Sequence, residues 1–532
     1  MHTNLFTSGA RVILTGIASV LLWTACRKDN KTSPDNPPKG DTIAAKPASA
    51  YEDSLKYLMY QIMQVTYADG GRNAALGLPT YYWYSQVPAL NPLDSKYANA
   101  DSLLSAMKTY AINPATTQPF DHYSFLDRNG VLTNKLMNGI SSQAVAATNS
   151  GDFGFDYLFA RDNEQKLHIF VVYVDKNSPA GQAGIARGWE IVSVNGNSNF
   201  SFTQSFLQSL YSAVFNSPSV TLGLKPSTSS AATVTKTLTT ATYNINPVVF
   251  DTTFIVTDVN HIQKKVGYFS MYTFSSVINS NGQDTYTKTV LDQLFSKFAS
   301  QGINNLIVDF RYNGGGAVAT TQYLCNAIAP SAAVGQVMYT TLYNDKLMAH
   351  ISDVKLTTTT NFATTTGKLK LDNVFFITSG STASASELTL NSLKPYMPVQ
   401  LVGSRTYGKP VGFIDFNISV FDPSHKQVYL ADLYAINFET KNAKGEGGYY
   451  TGIPVDAAAS DFIDASWGDT QNDENLKKIV NYLTTGNYNT SARIAAPELN
   501  SNLMKVDLSQ KPAHGFNGMV DYERSRLIRA GR

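Results

Sequence analysis

Residues 305–316 read Asn305-Leu306-Ile307-Val308-Asp309-Phe310-Arg311-Tyr312-Asn313-Gly314-Gly315-Gly316. The short apolar run Leu306–Val308, with Ile307 and Val308 β-branched, reads as a buried strand. Three glycines after this strand, Gly314–Gly316, permit positive φ and a close backbone approach to a ligand. A helix containing Thr320 to Ile328 follows. Upstream, Val266–Met271 reads as a strand, and Leu291, Leu294, Phe295 and Phe298 mark an amphipathic helix. Downstream come a strand at Val374–Ile377, a helix at Ser384–Leu393, and strands at Val399–Val402 and Gln427–Leu433. This βαβα order predicts an α/β core with a mostly parallel sheet packed by helices. A phosphate-binding P-loop is the rival for any strand, glycine loop and helix. No Gly-Lys-Ser/Thr follows, which argues against it.

The chemistry gathers further on. Thr382-Ala383-Ser384-Ala385-Ser386-Glu387 follows the strand Val374–Ile377, and Arg405-Thr406-Tyr407-Gly408-Lys409 follows the strand Val399–Val402. Two strand ends and the helix between them can bring Ser384 and Lys409 together. A serine hydroxyl is a poor nucleophile until a base takes its proton, and lysine is one such base. Lysine ordinarily titrates at roughly 10.4, so it must be desolvated to act near neutral pH. The alternative is a small-residue helix start beside a solvated loop lysine.

The segment TASASE, followed by the lysine of TYGK, resembles the carboxyl-terminal processing proteases of peptidase family S41. Asp309-Phe310-Arg311-Tyr312-Asn313-Gly314-Gly315-Gly316 is similar to that family's aspartate–arginine–asparagine–glycine segment. Gly452-Ile453-Pro454-Val455-Asp456 is like a turn of the same family and reads as structural. The resemblance covers roughly residues 75 to 460. It implies a serine peptidase with Ser384 as nucleophile and Lys409 as general base. It implies oxyanion donors at the N–H of Ala385 and at Gly314 or Gly315, and neither metal nor cofactor. Two positions depart from known members: Pro395 stands where some carry an aspartate, and Phe413 where others carry a glutamine. Glu387, one helical turn beyond Ser384, is the candidate group for orienting Lys409, with a capping carboxylate as the equal alternative.

The family usually carries a PDZ domain, and a second unit fits one. Ser178-Pro179-Ala180-Gly181-Gln182-Ala183-Gly184-Ile185 followed by Gly188-Trp189-Glu190-Ile191-Val192-Ser193-Val194-Asn195-Gly196 reads as a Pro-started short helix, a glycine stop, a strand and an Asn-Gly turn. This closely resembles the PDZ signature, with Trp189 in place of the usual aspartate. Phe153-Gly154-Phe155 matches the carboxylate loop, where N–H groups take a peptide's terminal carboxylate beside a strand edge. The plain alternative is a strand bulge.

At 532 residues the chain predicts about three domains. It is 43% hydrophobic and 15% charged, with a net charge of +2, so no nucleic-acid partner is indicated. Cys26 closes an apolar run, Val12–Trp23, through Thr24-Ala25. That run is too short to span a bilayer and reads as a signal-peptide core. A cysteine directly after it resembles a lipoprotein cleavage site and implies a lipid anchor in a bacterial cell envelope, periplasmic or surface-facing. The reading divides the chain into a signal peptide (1–25), a polar tether (26–50), a helical N-terminal domain (51–146), a PDZ-like domain (147–245), a protease core (246–470) and a C-terminal appendage (471–532). In the first of these domains Leu55, Leu58, Met59 and Ile62 fall at helical spacing, ahead of the Tyr81-Tyr82-Trp83-Tyr84 cluster and Asp121-His122-Tyr123-Ser124.

The expected activity is endopeptidase cleavage through an acyl-enzyme, with substrates presented by their carboxyl ends. A catalytically weak PDZ scaffold is the alternative. A Ser-His-Asp hydrolase would want Gly-x-Ser-x-Gly, which Ser384 lacks.

Overall fold

The computed structural model describes residues 49–66, 90–109, 117, 119, 121–141, 151–226, 232–364, 368–489, 504–505 and 516–530. Cys26, the apolar run before it and the cluster at Tyr81–Tyr84 lie outside the described residues.

Helices α1 (Ser49–Thr66) and α2 (Ala100–Lys108) open the described chain. Asn99 caps α2 by accepting the Ser102 N–H at 2.8 Å. Leu55, Met59 and Ile62 of α1 and Leu103, Leu104 and Met107 of α2 enter the same hydrophobic cluster as the α/β core. This region therefore shares its interior with the core. It also contributes a strand, β1 (Phe125–Asp127), which precedes helix α3 (Val131–Asn138).

The second unit has its own core, with Phe153, Phe155, Tyr157, Ile169 and Leu222 among its buried residues. Strands β2 (Phe155–Arg161), β3 (Leu167–Val174), β4 (Glu190–Val194), β5 (Ser219–Lys225) and β6 (Val234–Thr239) pair antiparallel in that order. The short helix α4 (Pro179–Gln182) begins at Ser178, whose Oγ accepts the Gly181 N–H at 3.1 Å. The Asn195-Gly196 turn has φ of 49° and 82°, as a tight hairpin requires. Helix α5 (Gln204–Tyr211) packs Leu207 and Leu210 into this core.

The core that follows holds two sheets. The first contains β7 (Val248–Thr257), β8 (Gln263–Met271), β9 (Asn305–Asp309), β13 (Asn373–Thr378), β14 (Val399–Gly403) and β17 (Ala457–Ala458). It is parallel from β8 through β17, and only β7 runs antiparallel. Asp309 lies opposite Ile377, and Ile377 opposite Val402. Three strands thus end at one level and deliver their loops to the same sheet edge, where open α/β sheets bind ligands. Helices α6 (Tyr286–Gln301), α7 (Val318–Ile328) and α8 (Ala385–Leu393) cover one face, and α9 (Glu474–Thr485) packs Leu476, Ile479 and Leu483 against Phe375, Ile377 and Val402 on the other.

The second sheet is represented in the sequence reading by one strand, at Gln427–Leu433. It runs β10 (Gly315–Ala317), β19 (Gly518–Ala530), β15 (Val411–Phe421), β16 (Gln427–Asn442), β11 (Val337–Leu342) and β12 (Thr359–Asn361), with β1 on β16. The strand expected at Gln427–Leu433 continues to Asn442. Residues 518–530, expected within an appendage, form an interior strand parallel to both neighbours, with Gly315 opposite Gly518 and Phe413 opposite Val520. A two-residue strand, β18 (Met504–Lys505), pairs antiparallel with the outer edge of β2.

Buried charges lock the glycine loop from below. Arg311 is in contact with Asp309 at 2.7 Å, Asp473 at 2.6 Å and Asp461 at 3.1 Å. Arg187 of the second unit reaches Tyr312 Oη at 2.7 Å and Asp461 at 3.0 Å, with its guanidinium over Trp467. A buried guanidinium is tolerated only with such partners.

Candidate active site

Ser384 sits at the end of the turn that leads from β13 into α8. The turn is stapled to the glycine loop. Thr382 Oγ1 donates to Phe310 O at 2.8 Å, the Ala383 N–H to Asn313 O at 3.1 Å, and Ser386 Oγ to the same oxygen at 3.1 Å. Ser379 Oγ donates to Arg311 O. These bonds hold Ser384 at φ 57° and ψ −105°, a conformation that a side-chain-bearing residue seldom adopts. Such strain costs about 1–3 kcal/mol and persists only where the surroundings impose it. The serine is buried, and its Oγ donates a long hydrogen bond, 3.4 Å, to Val411 O.

Lys409 lies on the loop after β14. Thr406 fixes that loop by accepting the Ile453 N–H at 2.7 Å, so the Gly452–Asp456 turn buttresses the lysine. Gly408 has φ 96°, and a Cβ there would lie 2.5 Å from the Gly452 nitrogen. The amine of Lys409 is fully enclosed. It donates to the Asn517 main-chain oxygen at 2.5 Å and stands over the rings of Tyr123 at 4.3 Å and Phe413 at 4.2 Å. Burial pushes the amine down to about 7, against the pull of Asp121 and Glu387, while Lys108 pushes it further down.

Glu387 ties the two together. Its Oε2 accepts the N–H of Ser384 at 2.8 Å and of Lys409 at 2.9 Å, while Oε1 accepts the Gly408 N–H at 2.8 Å and Thr406 Oγ1 at 2.5 Å. Burial raises this carboxyl, and the four donors oppose that rise. Its contact with Lys409 is to the main chain. Glu387 sets the backbone of the site, and the amine's hydrogen-bond partner is Asn517.

The glycine loop faces the start of α8. The Ala385 N–H is the first of the helix, with no intrahelical acceptor. A Cβ on Gly315 would lie 2.9 Å from the Ala385 nitrogen, so the missing side chain leaves that donor open. The Gly315 N–H donates to Asn313 Oδ1 at 2.9 Å. The Gly314 N–H has no acceptor among the described residues. Sequence alone left the choice between Gly314 and Gly315 open, and in this conformation the unspent donor is that of Gly314.

In the second unit Phe153 and Phe155 are buried, so neither lines an open pocket. Gly154 has φ 74°, and a Cβ there would strike Ser178. Met504–Lys505 pair with Arg161 and Ala160, at the end of β2 away from this loop. Cys325 is buried, and burial pushes its thiol up.

Three site neighbours were not identified as such from sequence. Tyr123 belongs to a segment noted only for its resemblance, Phe413 was noted only as a departure, and Asn517 acts through a main-chain oxygen that carries no residue signature.

Residues 265–430 match the model of peptidase family S41. No curated protein sequence matches the chain. A solved structure described as an S41 protease from Bacteroides fragilis NCTC 9343 superposes with a TM-score of 0.55 at 21% identity, covering 85% of this chain and 99% of that one, and shares the fold. The photosystem II D1 C-terminal processing protease gives a TM-score of 0.42 at 18% identity, over 81% and 97% of the two chains.

Proposed function

We propose that this chain is a serine endopeptidase in which Ser384 is the nucleophile and Lys409 the general base. The carrying observation is the enclosed amine of Lys409, pushed down to about 7 and tied through Glu387 to the strained backbone of Ser384. A neutral amine keeps a lone pair for the serine proton while one N–H remains on Asn517 O. The alkoxide adds to the substrate carbonyl. The oxyanion is received by the Ala385 N–H together with a glycine-loop N–H, Gly314 in the present conformation. The ammonium of Lys409 then protonates the leaving amine, and an ester on Ser384 remains. Lys409 next takes a proton from water, which attacks the ester; the Ser384 oxygen leaves with the proton returned by the Lys409 ammonium, and the acid is released.

The second unit is read as the module that receives substrate carboxyl ends beside Phe153-Gly154-Phe155. The antiparallel pairing of β18 with β2 supports this, because it demonstrates an edge that accepts an extended segment. The same pairing lies at Ala160–Arg161, so only a substrate that extends along the whole of β2 would displace Met504–Lys505. Lipid on Cys26 would hold the protein at a bacterial envelope membrane. Cys26→Ala protein that stays with membranes after a salt wash would remove that part of the proposal.

The reaction is tested by N-terminal mass spectrometry on a mixed peptide library. The wild-type chain should create new internal N-termini, and Ser384→Ala should create none. Equal cutting by both would overturn the assignment.

A further inference from the structure

The base in this site is held by a part of the chain far from either motif. Strand β19 lies between β10, which carries the glycine loop, and β15, which starts just after Lys409. Its first residues meet both. The Gly518 N–H donates to Gly314 O at 2.9 Å, and Asn517 O accepts from Lys409 Nζ at 2.5 Å. The Phe516 ring stands 5.8 Å from Nζ and 6.0 Å from the Phe413 ring. The approach to the glycine loop is close, since a Cβ on Gly314 would lie 2.4 Å from Phe516 O.

We infer that residues 516–518 form one wall of the catalytic lysine's pocket, with the Asn517 main-chain carbonyl as the positioning group for the Lys409 amine and Phe516 as its seal against water. The inference rests on the serine–lysine reading for its catalytic meaning. A lysine side chain has roughly 2 kcal/mol of rotamer entropy, so an enclosed amine needs a fixed acceptor to stay in one place. A carbonyl suits this role. It accepts an N–H from the neutral amine, leaves the lone pair free, and adds no charge that would hold the proton. The charged and titratable groups around the amine come from other elements: Asp121, His122 and Tyr123 from the loop before β1, Lys108 from α2, Glu387 from α8 and Tyr407 from the lysine loop.

The competing reading is that the segment is a plug which substrate expels. The anchoring of β19 argues against it. Met519 and Val520 have no exposed surface, and Arg524 pairs with Asp521 at 2.7 Å and donates to Tyr343 Oη at 2.7 Å. A strand built into the sheet at these points does not leave cheaply.

The test uses the full chain labelled with 13Cε-lysine, with the Lys409 resonance assigned by its loss in Lys409→Arg. Lys409 should titrate near 7 in the wild type and in Asn517→Ala, which keeps the main-chain carbonyl. Phe516→Ala should raise that value by about one unit or more as water enters, and Phe516→Leu should restore it. Neutral-pH peptidase activity should fall at least about tenfold in Phe516→Ala and recover in Phe516→Leu. An unchanged titration in a folded Phe516→Ala would overturn the inference. So would turnover above wild type at every pH, which is the signature of a plug. A Phe516→Ala chain that does not fold leaves Phe516→Leu and Asn517→Ala as the deciding pair, and a raised lysine titration in both would overturn it. If the titrations behave as expected but no variant, wild type included, cuts peptide, then the wall stands and the peptidase reading falls.

Discussion

The main-chain N–H of Lys409 donates to Glu387 Oε2 at 2.9 Å, and the same oxygen accepts the N–H of Ser384 at 2.8 Å. One buried carboxylate therefore fixes the backbones of both Ser384 and Lys409. Its hydrogen bond to the lysine is to the main chain, and its charge adds an electrostatic pull on the amine.

Glu387→Gln should lose both stability and activity. An amide has one oxygen, so it cannot serve donors arriving at both Oε positions. Each buried donor left unpaired costs about 1–3 kcal/mol. Urea denaturation should register that loss, and kcat should fall while the folded variant keeps its circular dichroism spectrum. Unchanged stability and turnover would refute the positioning role.

Lys409→Met should be more stable than the wild type at neutral pH. The folded lysine titrates near 7 and the unfolded one in its ordinary range, so between these values the unfolded chain binds more protons and stability rises with pH. Below about 7 the folded state must bury a charge. The methionine variant escapes this cost, by something on the order of a few kcal/mol near neutrality, and its advantage should shrink toward pH 10. Denaturation curves at several pH values give the comparison. A pH-independent difference would contradict it.

Peptidase activity should rise with pH through about 7, as Lys409 loses its proton. Lys409→Arg should be inactive throughout, because guanidinium stays charged. The kcat/KM profile of the wild type, set beside the arginine variant, is the measurement. An active arginine variant would rule out lysine as the base.

Gly315→Ala should abolish turnover. The position has φ 105°, and the added methyl would lie 2.9 Å from the Ala385 nitrogen and 2.3 Å from Gly518 O. It would both strain the loop and cover the Ala385 N–H proposed to receive the oxyanion, a loss of about 100-fold or more in kcat. A variant that retains wild-type kcat would remove this loop from the mechanism.

Peptides with a free carboxyl end should bind the full chain better than their amidated twins, because charge-assisted bonds exceed neutral ones. Lys505→Pro should strengthen the binding of peptides long enough to reach Ala160–Arg161, since proline disfavours the pairing of Met504–Lys505 with that end of β2. Calorimetry with paired peptides reads both effects. Equal affinity for the two forms would show that this unit does not read carboxyl ends.

Local patterns made much of the core readable in advance. The run Leu306–Val308 leads to Gly314–Gly316 and the run Val374–Ile377 to a small-residue turn, and these loops deliver the glycines and Ser384 to one sheet edge. Most of the second sheet was hidden for a physical reason. Strand β19 pairs Gly518 with Gly315 and Val520 with Phe413, partners from distant parts of the chain, and its mixed sequence Asp521-Tyr522-Glu523-Arg524 carries no clear alternation. The pocket of Lys409 was hidden likewise. Tyr123, Phe413 and Phe516 are ordinary aromatics in separate segments that meet only when both sheets are assembled.

The most direct measurement is mass spectrometric mapping of a serine-reactive phosphonate on the purified full chain. The account predicts one adduct, on Ser384, formed at a rate that rises through about pH 7 and is lost in Lys409→Ala. An adduct on another residue, or equal labelling of Ser384 without Lys409, would contradict it.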